Sequence, residues 1–158
     1  MATLKPVQIA GWLKDVNDNF DTVETAITKI EGLNVTKFTF DTAANDANTT
    51  PASNKTVAAH PLAVKIPDNA IIVYGHIDVI EAVTSDGDAT VAIHLVSAND
   101  VLTATGKANL TIKAQILTAA VNAAPIKLEA EKAVTVTVGT AALTAGKIDG
   151  YIVWIEGA

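Results

Sequence analysis

Residues 70–96, AIIVYGHIDVIEAVTSDGDATVAIHLV, carry the strongest strand signals in the chain. Apolar residues alternate with other residues over 70–80 and again over 88–96. An apolar period of two is typical of a half-buried strand, so both segments are predicted to be β-strands. The positions predicted to face the core are Ile71, Val73, Gly75, Ile77, Val79, Val91, Ile93 and Leu95.

The sequence between these two strands predicts a hairpin that joins them in one sheet. The two inward faces stay on the same side of a sheet only if paired residue numbers have an even sum. A three-residue loop over 85–87 that pairs Thr84 with Asp88 meets this condition. Its last residue, Gly87, is then predicted to adopt the left-handed conformation.

Period-two patterns continue on both sides of this pair. The further predicted strands are Val35–Phe40 with Phe38 and Phe40 on one face, Val57–Ile66 with an interruption at Pro61, Pro125–Ala130, Ala133–Val138 and Ile148–Glu156. Residues 41–56 are predicted to form a polar surface loop, whereas residues 97–124 are compatible with a helix, strands or loops. Seven or eight strands without interleaved helical patterns predict a mainly β domain over residues 34–158, a β-sandwich or jelly roll.

The last predicted strand is apolar on both of its faces. Ile152 and Trp154 share one face, and Tyr151, Val153 and Ile155 share the other. This arrangement predicts either a strand in a central position or a strand that another subunit covers.

Residues 1–33 have a different period. Apolar residues are spaced by four and three in strict alternation, forming a seam of Ile9, Leu13, Val16, Phe20, Val23, Ile27 and Ile30. An unbroken seven-residue repeat is typical of helices packed on helices in register. The predicted helix runs from Pro6 to Glu31, with Gly32 as its C-terminal cap.

The residue types in the seam indicate how many helices would associate. β-branched residues at one core position, with Leu or Ile at the other, favour trimers or tetramers over dimers. We therefore predict that residues 1–33 form a trimeric oligomerisation segment. The alternative is a single helix that docks on its own β domain.

Composition excludes several classes of function. The chain has no cysteine and a net charge of −6, and all eleven basic residues are lysines. It therefore has no disulfide, no thiolate metal site and no arginine to clamp phosphate, and we expect no binding to nucleic acid. No apolar run approaches the ~20 residues that a membrane span requires. Without a secretory signal pattern, the chain is expected in the cytosol when it is made.

No motif in the sequence predicts catalysis or a cofactor. The three serines lie outside any nucleophile elbow, and His60, His76 and His94 lack close metal-ligand spacing. In the predicted hairpin register, Asp78 lies opposite His94 with His76 nearby, which favours a polar cross-strand pair over a zinc site. Residues 86–88 are predicted to be a turn and not a calcium loop. Packing roles are predicted for both tryptophans, Trp12 and Trp154.

Segments of the β region resemble small structural proteins of tailed bacteriophages. The resemblance covers residues 66–96 and 133–156, and Asn17-Asp18-Asn19-Phe20 is similar to N-terminal helices of phage fibre proteins. The segments that carry it are Ile66-Pro67-Asp68-Asn69-Ala70-Ile71-Ile72, Ile77-Asp78-Val79, Thr84-Ser85, Ala89-Thr90-Val91-Ala92-Ile93 and Ala142-Leu143-Thr144-Ala145-Gly146-Lys147 with the Tyr/Val/Trp strand that follows.

This resemblance implies a jelly-roll or β-sandwich module on a virion, serving as a head decoration (cement) protein or a head fibre, often as a trimer. The expected partner is the phage major capsid protein, and the expected location is the capsid surface. The alternative is a tail-associated adhesin that recognises host surface glycans. The resemblance implies no catalytic residue, metal or cofactor.

Overall fold

A computed structural model describes residues 32–43, 53–117 and 126–157. Residues 34–158 belong to one compact unit. The predicted helix and its seam over residues 9–30 lie outside the described residues and remain predictions. In the part of the chain that is described, no helix is both long and apolar enough to cross a membrane.

The described residues form nine β-strands and two short 3₁₀ turns, at Ser53–Lys55 and Lys107–Asn109. The strands are β1 (Asn34–Asp41), β2 (Ala58–Ile66), β3 (Ala70–Thr84), β4 (Thr90–His94), β5 (Leu102–Gly106), β6 (Gln115–Leu117), β7 (Ile126–Lys127), β8 (Lys132–Gly139) and β9 (Ala145–Glu156). The domain is therefore mainly β, as its alternating sequence predicts.

The strands form two antiparallel sheets. The larger sheet has the order β1-β9-β3-β6, with β7 also paired to β3, and the smaller sheet has the order β2-β8-β4-β5. The chain changes sheet at most of its connections and remains in the same sheet only from β4 to β5 and from β6 to β7. The prediction that the last strand is central is confirmed, because β9 lies between β1 and β3.

The core lies between the two sheets and follows the predicted alternation closely. Its largest fully buried side chains are Phe38, Phe40, Ile66, Ile72, Ile77, Ile93, Leu110, Leu128, Ile148, Ile152, Val79 and Val91. Trp154 packs against this core, as predicted, and its indole N–H donates to Thr36 Oγ1 at 2.9 Å. A buried indole generally needs such an acceptor.

The predicted inward face of β3 is wrong at its beginning. Register shifts between Ile72 and Tyr74, so that Ile72 pairs with Trp154 and Tyr74 with Val153. This bulge exchanges the two faces of the strand. Before it, Ile72 is buried and Ile71 is only half-buried; after it, the predicted pattern of inward residues holds.

The predicted hairpin between 70–80 and 88–96 is wrong, because β3 and β4 belong to different sheets. Thr84 pairs with Ala145 of β9 and not with Asp88. The Ser85 hydroxyl donates to the carbonyl of Ala142 at 2.6 Å. This bond anchors the segment after β3 to the β8–β9 connection, from which the chain crosses to the smaller sheet.

Gly87 also differs from its prediction. The positive φ values among the described glycines are confined to Gly146, so Gly87 is not left-handed. Its backbone N–H donates to Ser85 Oγ at 3.1 Å. A Cβ atom at position 87 would lie 2.7 Å from the Cβ of Ala141. A small residue is therefore needed here by close approach and not by backbone conformation.

Two loop regions acquire structure that their composition does not reveal. Asn54, within the predicted polar surface loop, is fully buried and donates through Nδ2 to the carbonyl of Asp41 at 3.0 Å. In the ambiguous region, the Asp100 carboxylate accepts the backbone N–H groups of Leu95, Val96 and Ser97 at 2.8–2.9 Å. The Asp100 bonds are local, whereas the Asn54 bond joins residues 13 positions apart.

Candidate assembly surface on the larger sheet

The outer face of the larger sheet is built from cross-strand rows, because β9 pairs with β1 on one side and with β3 on the other. Along the strands these rows are Val35–Val153–Tyr74, Lys37–Tyr151–His76, Thr39–Asp149–Asp78 and Asp41–Lys147–Glu81. The face is thus apolar where β1 begins and charged where β1 ends. Side chains in directly opposed positions interact and set the properties of each row.

A polar cluster, defined as Lys37, Thr39, Asp149, Tyr151 and His76, occupies the middle of this face. Lys37 Nζ lies 2.7 Å from Asp149 Oδ2, and Thr39 Oγ1 donates to Asp149 Oδ1 at 2.7 Å. The ammonium also lies 5.5 Å from the centre of the Tyr151 ring, which in turn lies 6.1 Å from the ring of His76. Both oxygens of the carboxylate are therefore held by β1.

The pKa shifts within the cluster keep Asp149 ionised and Lys37 protonated. Partial burial acts to raise the pKa of Asp149, but the hydrogen bonds from Lys37 and Thr39 outweigh it and hold that pKa below its ordinary value. The Asp149 carboxylate in turn raises the pKa of Lys37 above its ordinary value. A lysine that stays protonated and paired is a poor nucleophile or base, so the cluster does not favour catalysis. Its contacts from Lys37 and Thr39 to Asp149 tie the edge strand β1 to the central strand β9.

These shifts give the folded state a pH dependence of known sign. The lowered pKa of Asp149 stabilises the folded state at pH values above the pKa that Asp149 has in the unfolded chain. This contribution is lost as the pH falls through the pKa of Asp149 in the folded state. The raised pKa of Lys37 stabilises the folded state at pH values below the pKa that Lys37 has in the unfolded chain. This contribution is lost as the pH rises through the pKa of Lys37 in the folded state. The pair contributes fully between about pH 4 and 10. We expect Asp149→Asn to flatten the acid side of the stability profile.

Urea unfolding at a series of acidic pH values measures this slope. The control is Asp86→Asn, which removes an exposed carboxylate from the segment after β3. Because the Lys37 side chain is 52% exposed, the difference should shrink in high salt. An acid limb that is identical in the wild type and in Asp149→Asn would show that the ion pair does not form in solution.

An apolar patch, defined as Val35, Tyr74, Val153, Ile71 and Ile155, lies on the same face beside the polar cluster. Val35 is 63% exposed and Tyr74 is 36% exposed, and the other three are half-buried. Val153 is the cross-strand neighbour of both Val35 and Tyr74, and Ile155 pairs with Ile71 in the next row. Contiguous exposed apolar side chains of this kind commonly mark interaction surfaces.

The structure does not bring together the polar residues that the sequence placed near each other. Asp78 pairs with Asp149 and Gln115 in the larger sheet, whereas His94 pairs with Thr135 in the smaller one. The predicted facing of Asp78 and His94 is therefore wrong, for the same reason as the hairpin. Within the described residues, no group of three or more His, Asp or Glu side chains is placed to hold a metal ion.

The predicted site residues are those of the seam, and all of them lie outside the described residues. The polar cluster and the apolar patch were not predicted as sites. Their members come from opposite ends of the domain sequence, since Lys37 and Asp149 are 112 residues apart. The available signal was the apolar outer face of residues 151–155, which predicted a central or covered strand.

Comparison with known proteins gives matches in structure alone: no protein-family model and no curated protein matches the sequence. The fold is similar to that of a chain in the acidic stable capsid structure of Helicobacter pylori bacteriophage KHP30, with a TM-score of 0.54 and 15% identity over 80% of this chain and 89% of that chain.

Two further capsid structures contain similar chains, each with a TM-score of 0.54. One is the capsid of Ralstonia phage GP4, at 17% identity over 79% of this chain and 86% of that chain. The other is the cyanophage Pam1 capsid asymmetric unit, at 14% identity over 78% of this chain and 84% of that chain. At these identities the likeness shows a shared fold: the chain has the fold of chains found in phage capsids.

Proposed function

We propose that this protein is a non-enzymatic structural component of a phage virion, a trimeric decoration (cement) or head-fibre protein bound to the capsid. The observation that carries the proposal is the fold shared with chains of three phage capsid structures, over about four-fifths of this chain. The resemblance of residues 66–96 and 133–156 to phage structural proteins implies the same assignment, although it is carried by strand and turn segments of that same fold.

Size and strand order support an accessory role on the capsid. About four-fifths of this chain covers 84–89% of each similar chain, so those chains are of similar length to this one. The strand orders β1-β9-β3-β6 and β2-β8-β4-β5 fit jelly-roll connectivity, which is common among viral capsid domains.

The trimer is proposed from the seam over residues 9–30. Its unbroken heptad and the β-branched residues at one core position favour three helices. Three linked copies of one weak capsid contact would raise avidity by about 10²–10⁴ over a single contact. A protein without arginine and with a net charge of −6 would make such contacts mainly through apolar and backbone groups.

The adhesin alternative has less support from the described residues. A glycan platform requires exposed aromatic rings, but Phe38 and Phe40 are buried and Trp154 packs against the core. Tyr74 is exposed, but its cross-strand neighbour is Val153. The rings of Tyr151 and His76 lie in the next row, where both are half-buried and Lys37 Nζ lies 5.5 Å from the centre of the Tyr151 ring. Exposed apolar residues beside partly covered rings favour contact with protein.

The test is direct binding of the purified full-length protein to capsids of its phage from which it has been removed. We expect it to co-sediment with these capsids in the absence of host cells, and to remain bound in high salt because apolar contacts are little screened. Bovine serum albumin is the control for trapping in the pellet. Binding to host cells without binding to capsids would contradict the proposal and support the adhesin.

A further inference from the structure

We propose that the apolar patch is the contact between β domains of neighbouring copies in the trimer. This inference rests on the proposed trimer and adds the surface through which its β domains meet. The occupant of the patch is a second copy of this chain.

The first argument is the arrangement of the patch itself. Isolated exposed apolar residues are normal on protein surfaces. Val57, Val96 and Ile112 are of this kind, since each lies outside the strands in a different connecting segment. The apolar patch instead joins five side chains across β1, β9 and β3 in two successive rows. Its width from Val35 to Tyr74 is two strand spacings, roughly 10 Å.

The second argument is the position of the patch along the chain. Val35 is the second residue of β1, and Gly32 and Leu33 are the only residues between that strand and the end of the predicted helix. Chain connectivity therefore keeps Val35 within a few residues of the segment through which the proposed trimer forms.

The third argument is the size of the patch. Five side chains, three of them already half-buried, offer far less than the ~800 Å² per partner of a standard stable interface. The patch would therefore not hold copies together by itself. When the seam holds three copies at high effective concentration, a small apolar contact is sufficient to order the domains.

Single cysteines give a clean test, because the natural chain has none. Val35→Cys and Ile112→Cys are matched probes, since the two residues are 63% and 60% exposed within one copy. Each is made in the full-length chain, with the oligomeric state measured by sedimentation and the rate of maleimide labelling measured in the same buffer.

If the patch is covered, the thiol at position 35 should react about tenfold more slowly than the thiol at position 112, because labelling then requires the interface to open. Equal rates at positions 35 and 112 in a chain that sediments as a trimer would overturn this inference and leave the trimer intact. A chain that sediments as a monomer with equal rates would overturn both.

Discussion

Replacing Phe20 and Ile27 by Asp is expected to convert the full-length protein from a trimer to a monomer. Both residues belong to the same core position of the predicted seam, so each substitution would place three carboxylates at the centre of the coil. Burying an unpaired charge costs several kcal/mol per ion, more than a coil of three heptads can compensate. The β domain should remain folded, because the seam ends before β1.

Analytical ultracentrifugation measures the change directly, and circular dichroism checks that the strand signal is retained. The control carries two Asp substitutions outside the seam in the same segment, Thr22→Asp and Thr25→Asp. We expect the control to remain a trimer. A seam variant that still sediments as a trimer would show that this heptad does not hold the copies together, and would favour the docked-helix alternative.

Gly150→Val is expected to produce the largest loss of stability in the β domain. Gly150 of β9 pairs with Phe38 of β1, and the Phe38 ring lies directly over it on the core side. Any Cβ atom at position 150 would overlap that ring, which is 2% exposed and confined by the opposite sheet. Overpacking a core typically costs 1–3 kcal/mol, and we expect about 3 kcal/mol or more here.

Urea denaturation measures this loss as a lower urea concentration at the midpoint of unfolding. Gly106→Val is a matched control, because a Cβ atom at Gly106 in β5 would meet nothing within 4 Å. Its backbone, with φ −67° and ψ 147°, is extended and open to any residue. If the two variants had the same midpoint, Phe38 could not lie over Gly150. Partial rescue of Gly150→Ala by Phe38→Leu would support the proposed overlap.

Local sequence patterns were sufficient to predict the core. Alternation in β8 correctly placed Val134, Val136 and Val138 inside, and the two apolar faces of β9 correctly indicated a central strand. These predictions succeeded because the period of a strand is fixed by its backbone geometry.

Strand partners were not predictable in the same way. Ser85, Asp86 and Gly87 have the composition of a hairpin loop, but a turn sequence does not specify which sheet the next strand joins. That choice depends on pairings between segments far apart in the chain, those of β3 with β9 and of β4 with β8. The pairing of Lys37 with Asp149 is hidden for the same reason, since it requires the register of β1 against β9.

The bulge in β3 was also not predictable from the sequence. A single extra residue near Val73 changes which side of the sheet Ile71 faces, although the apolar residues on both sides of it are similar. Residues 71–73 (Ile-Ile-Val) are all apolar, so they show no alternation that could locate the bulge. The apolar patch is a consequence, because the bulge places Ile71 on the same outer face as Tyr74.

The central claim is that this protein stabilises a capsid without performing chemistry, and the heat stability of stripped virions tests it most directly. Virions of its phage with and without the protein are heated in parallel, and DNA release and adsorption to host cells are measured on the same samples. The proposal predicts that stripped particles release DNA at a lower temperature, adsorb normally, and regain heat stability when the purified protein is added back. Stripped particles that keep their heat stability and lose adsorption would contradict it.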